Sequence, residues 1–387
     1  MKILPYSPRH QKFREELKAF CRTYILPFID QWERDHQVPK SVWRKMGRAG
    51  FLCTAVSREY GGCSGDFLYS VIALEEISWT NHYGLDAFLH SDIVVPYIES
   101  YGSPEQKQKY LPGCVTGDIV TAVAMTEPDT GSDLASIATT AVEEKDAVVL
   151  NGTKTFISNG VICDLVVVAA RDPMVENPYE AISLYLVEDG TAGFKKGPAM
   201  EKLGGRSQDT NELYFTDCRI PAANRLGEKG SGFKMLMKKL QQERLLVAIL
   251  GHTKAEFILD WTRGYFSSGK RVPQAVQFAL AEISTEVLIG RTFLDKLIAD
   301  HMEQLDINIE TSMAKYWMTD LANRTANRCM DLVGEAAYSE SCPIVRTFRD
   351  VRVMTIFAGT NEIMKSIIAK KALNSSKTIA KGASDAH

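Results

Sequence analysis

The hydrophobic period of this chain changes twice, and no other feature limits its fold as much. Up to about residue 117 the apolar residues recur at helical spacing. Ser7-Pro8 predicts a helix start, a cap followed by proline in the first turn. Phe13, Leu17, Phe20, Cys21 and Tyr24 then fall on one face, the expected buried side. Gly61-Gly62 breaks the pattern. Further helices are predicted near Phe67–Trp79 and Leu85–Glu99, and Ser103-Pro104 starts a short one that stops near Pro112. From Val120 the period becomes two. Strands are predicted over Val120–Glu127, Ala138–Glu144, Ala147–Leu150, Lys154–Ser158, Leu165–Ala170, Ile182–Val187 and Glu212–Phe215. Asn151-Gly152, Asn159-Gly160 and Asp189-Gly190 read as the turns between them. Short strands so punctuated suggest a small barrel or sandwich. After Gly230-Ser231-Gly232 the helical period returns, with long segments beginning near Phe233, Pro273 and Asn308.

The expected plan is therefore mostly α with a middle β-barrel. Residues 1–118 form an N-terminal helical domain, 119–230 the β-barrel domain, 231–372 a C-terminal helical domain, and 373–387 a flexible polar tail. Composition narrows the function. The chain has 387 residues, with 45 Lys+Arg against 48 Asp+Glu. That near balance gives no electrostatic case for nucleic-acid binding. No apolar run approaches the roughly 20 residues of a membrane span. The N-terminus lacks the apolar core of a secretory signal, and Glu15 and Glu16 do not suit a transit peptide. Eight scattered cysteines with no CxxC spacing indicate neither zinc nor a disulfide framework. No ligand set for a metal is read among the histidines. Reduced thiols fit a cytoplasmic protein.

Three segments carry chemistry. In Ala124–Asp133, AMTEPDTGSD, a strand runs into a Gly/Ser turn that exposes backbone N–H groups and hydroxyls. Such a turn holds a polar heterocycle edge or an anion, though Thr, Gly and Ser also end strands for turn reasons alone. In Lys154–Gly160, KTFISNG, an aromatic and a hydroxyl precede a turn; a hairpin with one core aromatic would read the same. In Ile356–Ile363, IFAGTNEI, Gly359-Thr360 opens a helix whose N-terminus favours anions.

In this order the three segments resemble the acyl-CoA dehydrogenase family, over roughly residues 8 to 372. Lys202-Leu-Gly-Gly-Arg, Gln208-Asp209-Thr210, Arg219-Ile220-Pro221 and Leu226-Gly227-Glu228 strengthen the resemblance. It implies a helical domain, a β-barrel and a C-terminal four-helix bundle. It also implies FAD as cofactor, an acyl-CoA substrate, electrons passed to an electron-transferring flavoprotein, and a homo-oligomer built as a dimer of dimers. Met125, Thr126, Phe156 and Ser158 would contact the flavin region, and Ser132 the acyl-CoA. Thr360, followed by Glu362, would lie near the FAD phosphates, and Gly359 beside the substrate.

The chemistry needs a carboxylate at the α-carbon and donors at the thioester carbonyl, where negative charge develops. Many relatives place the Glu just before the Gly-Thr of the C-terminal motif, where this chain has Ala358. The long-chain and isovaleryl branch places it on the first C-terminal helix, and there Glu243 stands, followed by the expected Arg244. Without the family, that pair would read as a surface Glu and Arg on an amphipathic helix. The Ala358 N–H would still serve the thioester carbonyl. Two segments depart from the family. The Arg-x-x-Phe-Gly that helps hold the ADP half of FAD is absent from residues 265–278, where Lys270 or Arg271 would substitute. The Gln-x-x-Gly-Gly-x-Gly motif is changed at Asp331, Glu335 and Ala336. Asp86 and the run His90-Ser91-Asp92 lie on a helix that lines the acyl pocket in relatives, where a second carboxylate would serve branched, alicyclic or aryl-substituted thioesters; solvent-facing or capping roles are expected for them here. A family-fold subunit that has lost catalysis is the competing reading.

Overall fold

The computed structural model of the chain describes residues 3–267 and 271–384, with side chains through residue 374. It divides into two compact units, Tyr6–Leu240 and a second one formed by the residues up to Pro5 together with those from Gln241 onward.

The first unit opens with α1 (Pro8–Tyr24), α2 (Ile29–Asp35), α3 (Lys40–Arg48) and α4 (Phe67–Trp79). A π-helical turn over Leu89–Val94 then runs into α5 (Val95–Tyr101), followed by α6 (Pro104–Thr116). Ser7 caps α1 as its sequence predicts, with its side chain accepting from the His10 N–H. Leu17, Phe20 and Cys21 are buried on the predicted face, whereas Tyr24 is exposed under the Lys45 ammonium. Pro112 does not end α6. The helix continues to Thr116 and stops at Gly117, whose φ of 73° is a left-handed cap.

The sheet has eight strands: β1 (Thr121–Ala124), β2 (Thr140–Glu143), β3 (Ala147–Ile157), β4 (Leu165–Arg171), β5 (Ile182–Glu188), β6 (Phe194–Lys196), β7 (Asn211–Pro221) and β8 (Arg225–Leu226). A short helix, α7 (Pro178–Ala181), precedes β5. The order is β6-β7-β3-β2-β4-β5-β8, with β1 parallel to β4. This sheet is not closed as a barrel, which corrects the sequence expectation. Its two end strands, β6 and β8, span three and two residues and lie at opposite ends of the strand order, not paired with each other. Asn151-Gly152 is not a turn either. It lies inside β3 at a bulge opposite β7, so two predicted strands are one. Gly152 has φ 153°, and a Cβ there would fall 2.5 Å from the Thr139 hydroxyl. Alternation along β4 gives the unit its core. Leu165, Val167 and Ala169 pack with the helices, while Val166, Val168 and Ala170 pack within the sheet layer.

The second unit consists of the C-terminal part of α8 (Gly232–Phe266), with α9 (Gln274–Met302), α10 (Asn308–Val333), α11 (Pro343–Val351) and α12 (Asn361–Ser384). α10 packs against α9, α11 and α12. Gly251 and Gly290 let backbone and rings come close at Met318 and Trp317 of α10. The tail predicted from residue 373 is helical as far as Ser384, with no proline to break the run.

Candidate active site

In the first unit the strand end at Met125-Thr126 is fixed from below by a buried ion pair. The Lys154 ammonium, fully buried, donates to the Met125 carbonyl at 3.0 Å and to Glu127 Oε1 at 2.8 Å. Glu127 also accepts from the Ala138 and Thr139 N–H groups at 2.6 and 2.9 Å. Burial acts to raise the Glu127 carboxyl, but Lys154 and these donors hold it below its usual value. Burial likewise pushes Lys154 down to about 8. The pair therefore stays charged at neutral pH, with its desolvation offset by four hydrogen bonds. The Thr155 N–H donates to the Thr126 carbonyl at 2.9 Å, which draws the two segments side by side. The next residue, Phe156, has φ 57° and is 67% exposed. It sits in a second bulge, between the pairs Lys154↔Leu213 and Ile157↔Asn211. A left-handed aromatic in a strand is strained, and such strain and bulges gather at functional sites. The core aromatic of a hairpin is thereby excluded. Ser158 is half-buried just beyond, and Ser132 is exposed in the loop after the Glu127–Thr130 turn.

Asp86, His90 and Asp92 are buried rather than solvent-facing. Asp86 accepts from Gln208 at 3.2 Å through one oxygen, while the other has no partner. Burial pushes Asp86 and Asp92 up to about 7 and His90 down to about 4. Ser70 donates to Asp92 at 2.6 Å, and His90 is held between Thr121 and the Cys114 carbonyl.

In the second unit Glu243 stands on α8. The residue is half-buried, but its Oε2 is buried and has no hydrogen-bond partner. Burial pushes its carboxyl up to about 7, against the pull of Arg244 and Lys315. Arg244 is buried and reaches Ser312 at 3.3 Å. Ala358 and Gly359 both adopt positive φ, 54° and 85°, in the turn before α12. Thr360 caps that helix by accepting from the Ile363 N–H at 3.2 Å. Glu362, exposed in the first turn, is held below its usual value by backbone and Thr360 hydrogen bonds. Arg271 is exposed in the connection before α9, and Lys270 lies outside the described residues. Asp331 and Glu335 are exposed.

Two lysines escaped the sequence reading as site residues. Lys154 and Lys315 are both fully buried cations. The available signal was a Lys in phase with buried positions, as at Thr311, Ala314, Lys315, Met318 and Ala322 on one face of α10.

The sequence matches the acyl-CoA dehydrogenase N-terminal domain over residues 7–118, the middle domain over 122–218 and the C-terminal domain over 230–373. The chain belongs to the acyl-CoA dehydrogenase family. It is 40% identical to the long-chain specific acyl-CoA dehydrogenase of Rattus norvegicus mitochondria, over 96% of this chain and 88% of that protein. The crystal structure of an acyl-CoA dehydrogenase from Geobacillus kaustophilus superimposes with a TM-score of 0.93 at 47% identity, covering 95% of this chain and 99% of that one. A chain from work on the electron transferring flavoprotein of Acidaminococcus fermentans gives 0.90 at 30%, covering 96% and 100%. The chain is thus an oxidoreductase acting on CH–CH groups, with the acyl-CoA dehydrogenase fold. FAD is the cofactor of this family. The first unit fits a flavin ring: an exposed aromatic held out of a strand stands beside a backbone edge immobilised by a buried ion pair. No helix among the described residues is long and apolar enough to cross a membrane.

Proposed function

We propose that this protein dehydrogenates an acyl-CoA thioester across Cα–Cβ, with Glu243 as the base. The observation that carries this reading is Glu243 Oε2, buried and without a hydrogen-bond partner, on a carboxyl raised to about 7. A base of that strength is about half ionised at neutral pH and keeps driving force for proton uptake. The position before Gly359-Thr360 carries Ala358, so no second carboxylate competes there. The Ala358 N–H donates to the thioester carbonyl as negative charge develops. Arg244 keeps positive charge near the base, and Ser132 and Gly359 contact the acyl-CoA. Met125, Thr126, Phe156 and Ser158 seat the flavin ring. Thr360 and Glu362 lie toward the FAD phosphates, with Lys270 or Arg271 as the cation for the ADP half. When bound, FAD accepts the β-hydride.

The similarity to the rat enzyme supports a long-chain acyl group; a second carboxylate at Asp86 would instead suit a branched, alicyclic or aryl-substituted one. An electron-transferring flavoprotein as acceptor, a four-helix C-terminal bundle and a dimer of dimers complete the reading. Reduced cysteines support a cytoplasmic location. The altered segment at Asp331 and Glu335 favours a second reading, a non-catalytic subunit, which would purify colourless.

The colour of the purified protein separates the two, and Glu243→Gln tests the first. It keeps size and hydrogen bonding but removes the proton acceptor. Bleaching of bound flavin by acyl-CoA should fall by about 10²–10⁴-fold while flavin content stays unchanged. Near-normal bleaching would remove Glu243 from this role.

A further inference from the structure

Lys315 on α10 is fully buried, and its ammonium meets two neutral oxygens: the Gly359 carbonyl at 2.7 Å and Asn361 Oδ1 at 3.1 Å. No carboxylate among the described residues lies within ion-pair distance of it. Asp320, Glu362 and Glu243 act on it only through the longer-range field. A cation buried among neutral acceptors is costly, and a methionine of similar length would fill the same space without that cost. The two acceptors are telling. Gly359 follows Ala358 in a turn with two successive left-handed residues, at φ 54° and 85°. For Ala358 that conformation is unfavourable by about 1 kcal/mol and persists only where the surroundings impose it. Asn361 is itself tied down, donating to the Tyr316 carbonyl and to Asp320 at 3.3 and 2.8 Å. Lys315 thus clamps the turn from both sides, through Gly359 directly and through Asn361 at the start of α12.

We infer that Lys315 is a positioning residue for the dehydrogenation: its bond to the Gly359 carbonyl holds the Ala358–Gly359 turn in its left-handed form and so aims the Ala358 N–H at the substrate carbonyl. This rests on the function proposed above. Two consequences follow from the geometry. Removing the ammonium leaves Glu243 and the flavin segments in place, so substrate and cofactor should still bind. The donor at the carbonyl, needed most as negative charge develops, should be misaimed, so the chemical step should slow.

The test uses the full-length, flavin-loaded protein with Lys315→Met, which removes the donors at similar length, and Lys315→Gln, which restores one neutral donor. At a pH where Glu243 is fully ionised in both proteins, so that loss of the Lys315 charge does not itself alter the base, flavin bleaching at saturating acyl-CoA should fall roughly 10- to 100-fold in Lys315→Met, the cost of a small misplacement at a reacting centre. Lys315→Gln should recover part of it. KM should change less than threefold or so, the mark of an interaction made mainly in the transition state. Exchange of the α-proton into D2O, followed by NMR, should slow by the same factor, because it needs the base and the carbonyl donor but no electron transfer. Wild-type bleaching and exchange in a folded Lys315→Met protein would overturn the inference. So would a raised KM with unchanged maximal rate. Loss of the fold in both variants would also overturn it, since Lys315 would then be structural. If Glu243→Gln keeps full activity, it is the underlying reading that fails. If Glu243→Gln is inert while Lys315→Met is normal, only the role of Lys315 fails.

Discussion

A buried carboxyl raised to about 7 makes the chemistry pH-dependent in one direction. Glu243 accepts a proton only when ionised, so the second-order rate of flavin bleaching at limiting substrate should rise with pH through about 7 and level off above it. Stopped-flow bleaching across that range checks this, and a flat profile would place the base elsewhere. Phe156 allows a second test at the same scale. Its ring is 67% exposed, so Phe156→Ala removes little buried surface, and the melting temperature should hardly move. Flavin affinity should fall by about 1–3 kcal/mol, the range of one aromatic stacking contact, measurable by titrating the apoprotein with FAD. An unchanged affinity would mean that the ring faces something else. Glu243 could be proposed from the sequence because, given the family resemblance, its neighbour Arg244 and the vacancy at Ala358 point to it together. The strain at Phe156 was not legible, since a left-handed φ in a strand follows from the bulge against β7, a pairing far away in sequence. Lys154 and Lys315 were missed for a related reason. A lysine is ordinarily a solvated residue, and only the burial of its surroundings shows otherwise.

The element that most rewards attention is the π-helical turn Leu89–Val94, with Asp86 just before it. Asp86 and Asp92 rise to about 7 on burial, whereas the unfolded chain releases those protons near pH 4. Between about pH 4 and pH 7 the native state therefore binds more protons than the unfolded one. Stability from these two groups is fully present at low pH and is lost as pH rises through about 7. His90 acts the other way. Burial lowers it to about 4, so its contribution grows as pH rises from about 4 to about 6.5. The two acids outnumber it, and the wild-type melting temperature should fall from about pH 5.5 to about pH 8. In Asp86→Asn/Asp92→Asn, which mimics the protonated acids, that fall should be markedly smaller. Calorimetry at a few pH values decides the matter, and equal slopes in the two proteins would refute it. Helix starts such as Ser7-Pro8 and Ser103-Pro104 could be read locally, because a cap and a proline act within one turn. Asn151-Gly152 could not. Asn151 exchanges hydrogen bonds with Asp217 across the bulge, at 2.7 and 3.3 Å, so a pair that reads as a turn is held inside a strand by its partner.

For the whole molecule, the order of helices, sheet and helices was legible because the hydrophobic period is a property of the chain itself. Closure of the sheet was not, since it depends on whether distant end strands meet. The same distinction bears on how FAD is held, for its two halves make different demands. In the proposed site the ring would meet a rigid edge, since Met125 and Thr126 are fixed by Lys154 and Thr155 next to an exposed Phe156. The phosphate half lacks the Arg of Arg-x-x-Phe-Gly, a bidentate partner well matched to phosphate. Arg271 is exposed, and an exposed cation recovers only part of a charge-assisted bond, because solvent and salt screen it. Asp331 and Glu335 are exposed as well, so their repulsion of an anion is screened too and adds little. The loss should therefore amount to roughly one charge-assisted hydrogen bond, about 1.5–3 kcal/mol, or one to two decades in the dissociation constant. FAD should then leave the protein on extended dialysis, faster at high salt, and the apoprotein should rebind it more weakly than a relative that keeps the Arg. Restoring arginine near 271 should tighten binding without changing the pH profile set by Glu243. Full flavin retention with salt-independent affinity would show that the ring contacts alone suffice, and the absence of any FAD binding would favour the non-catalytic reading.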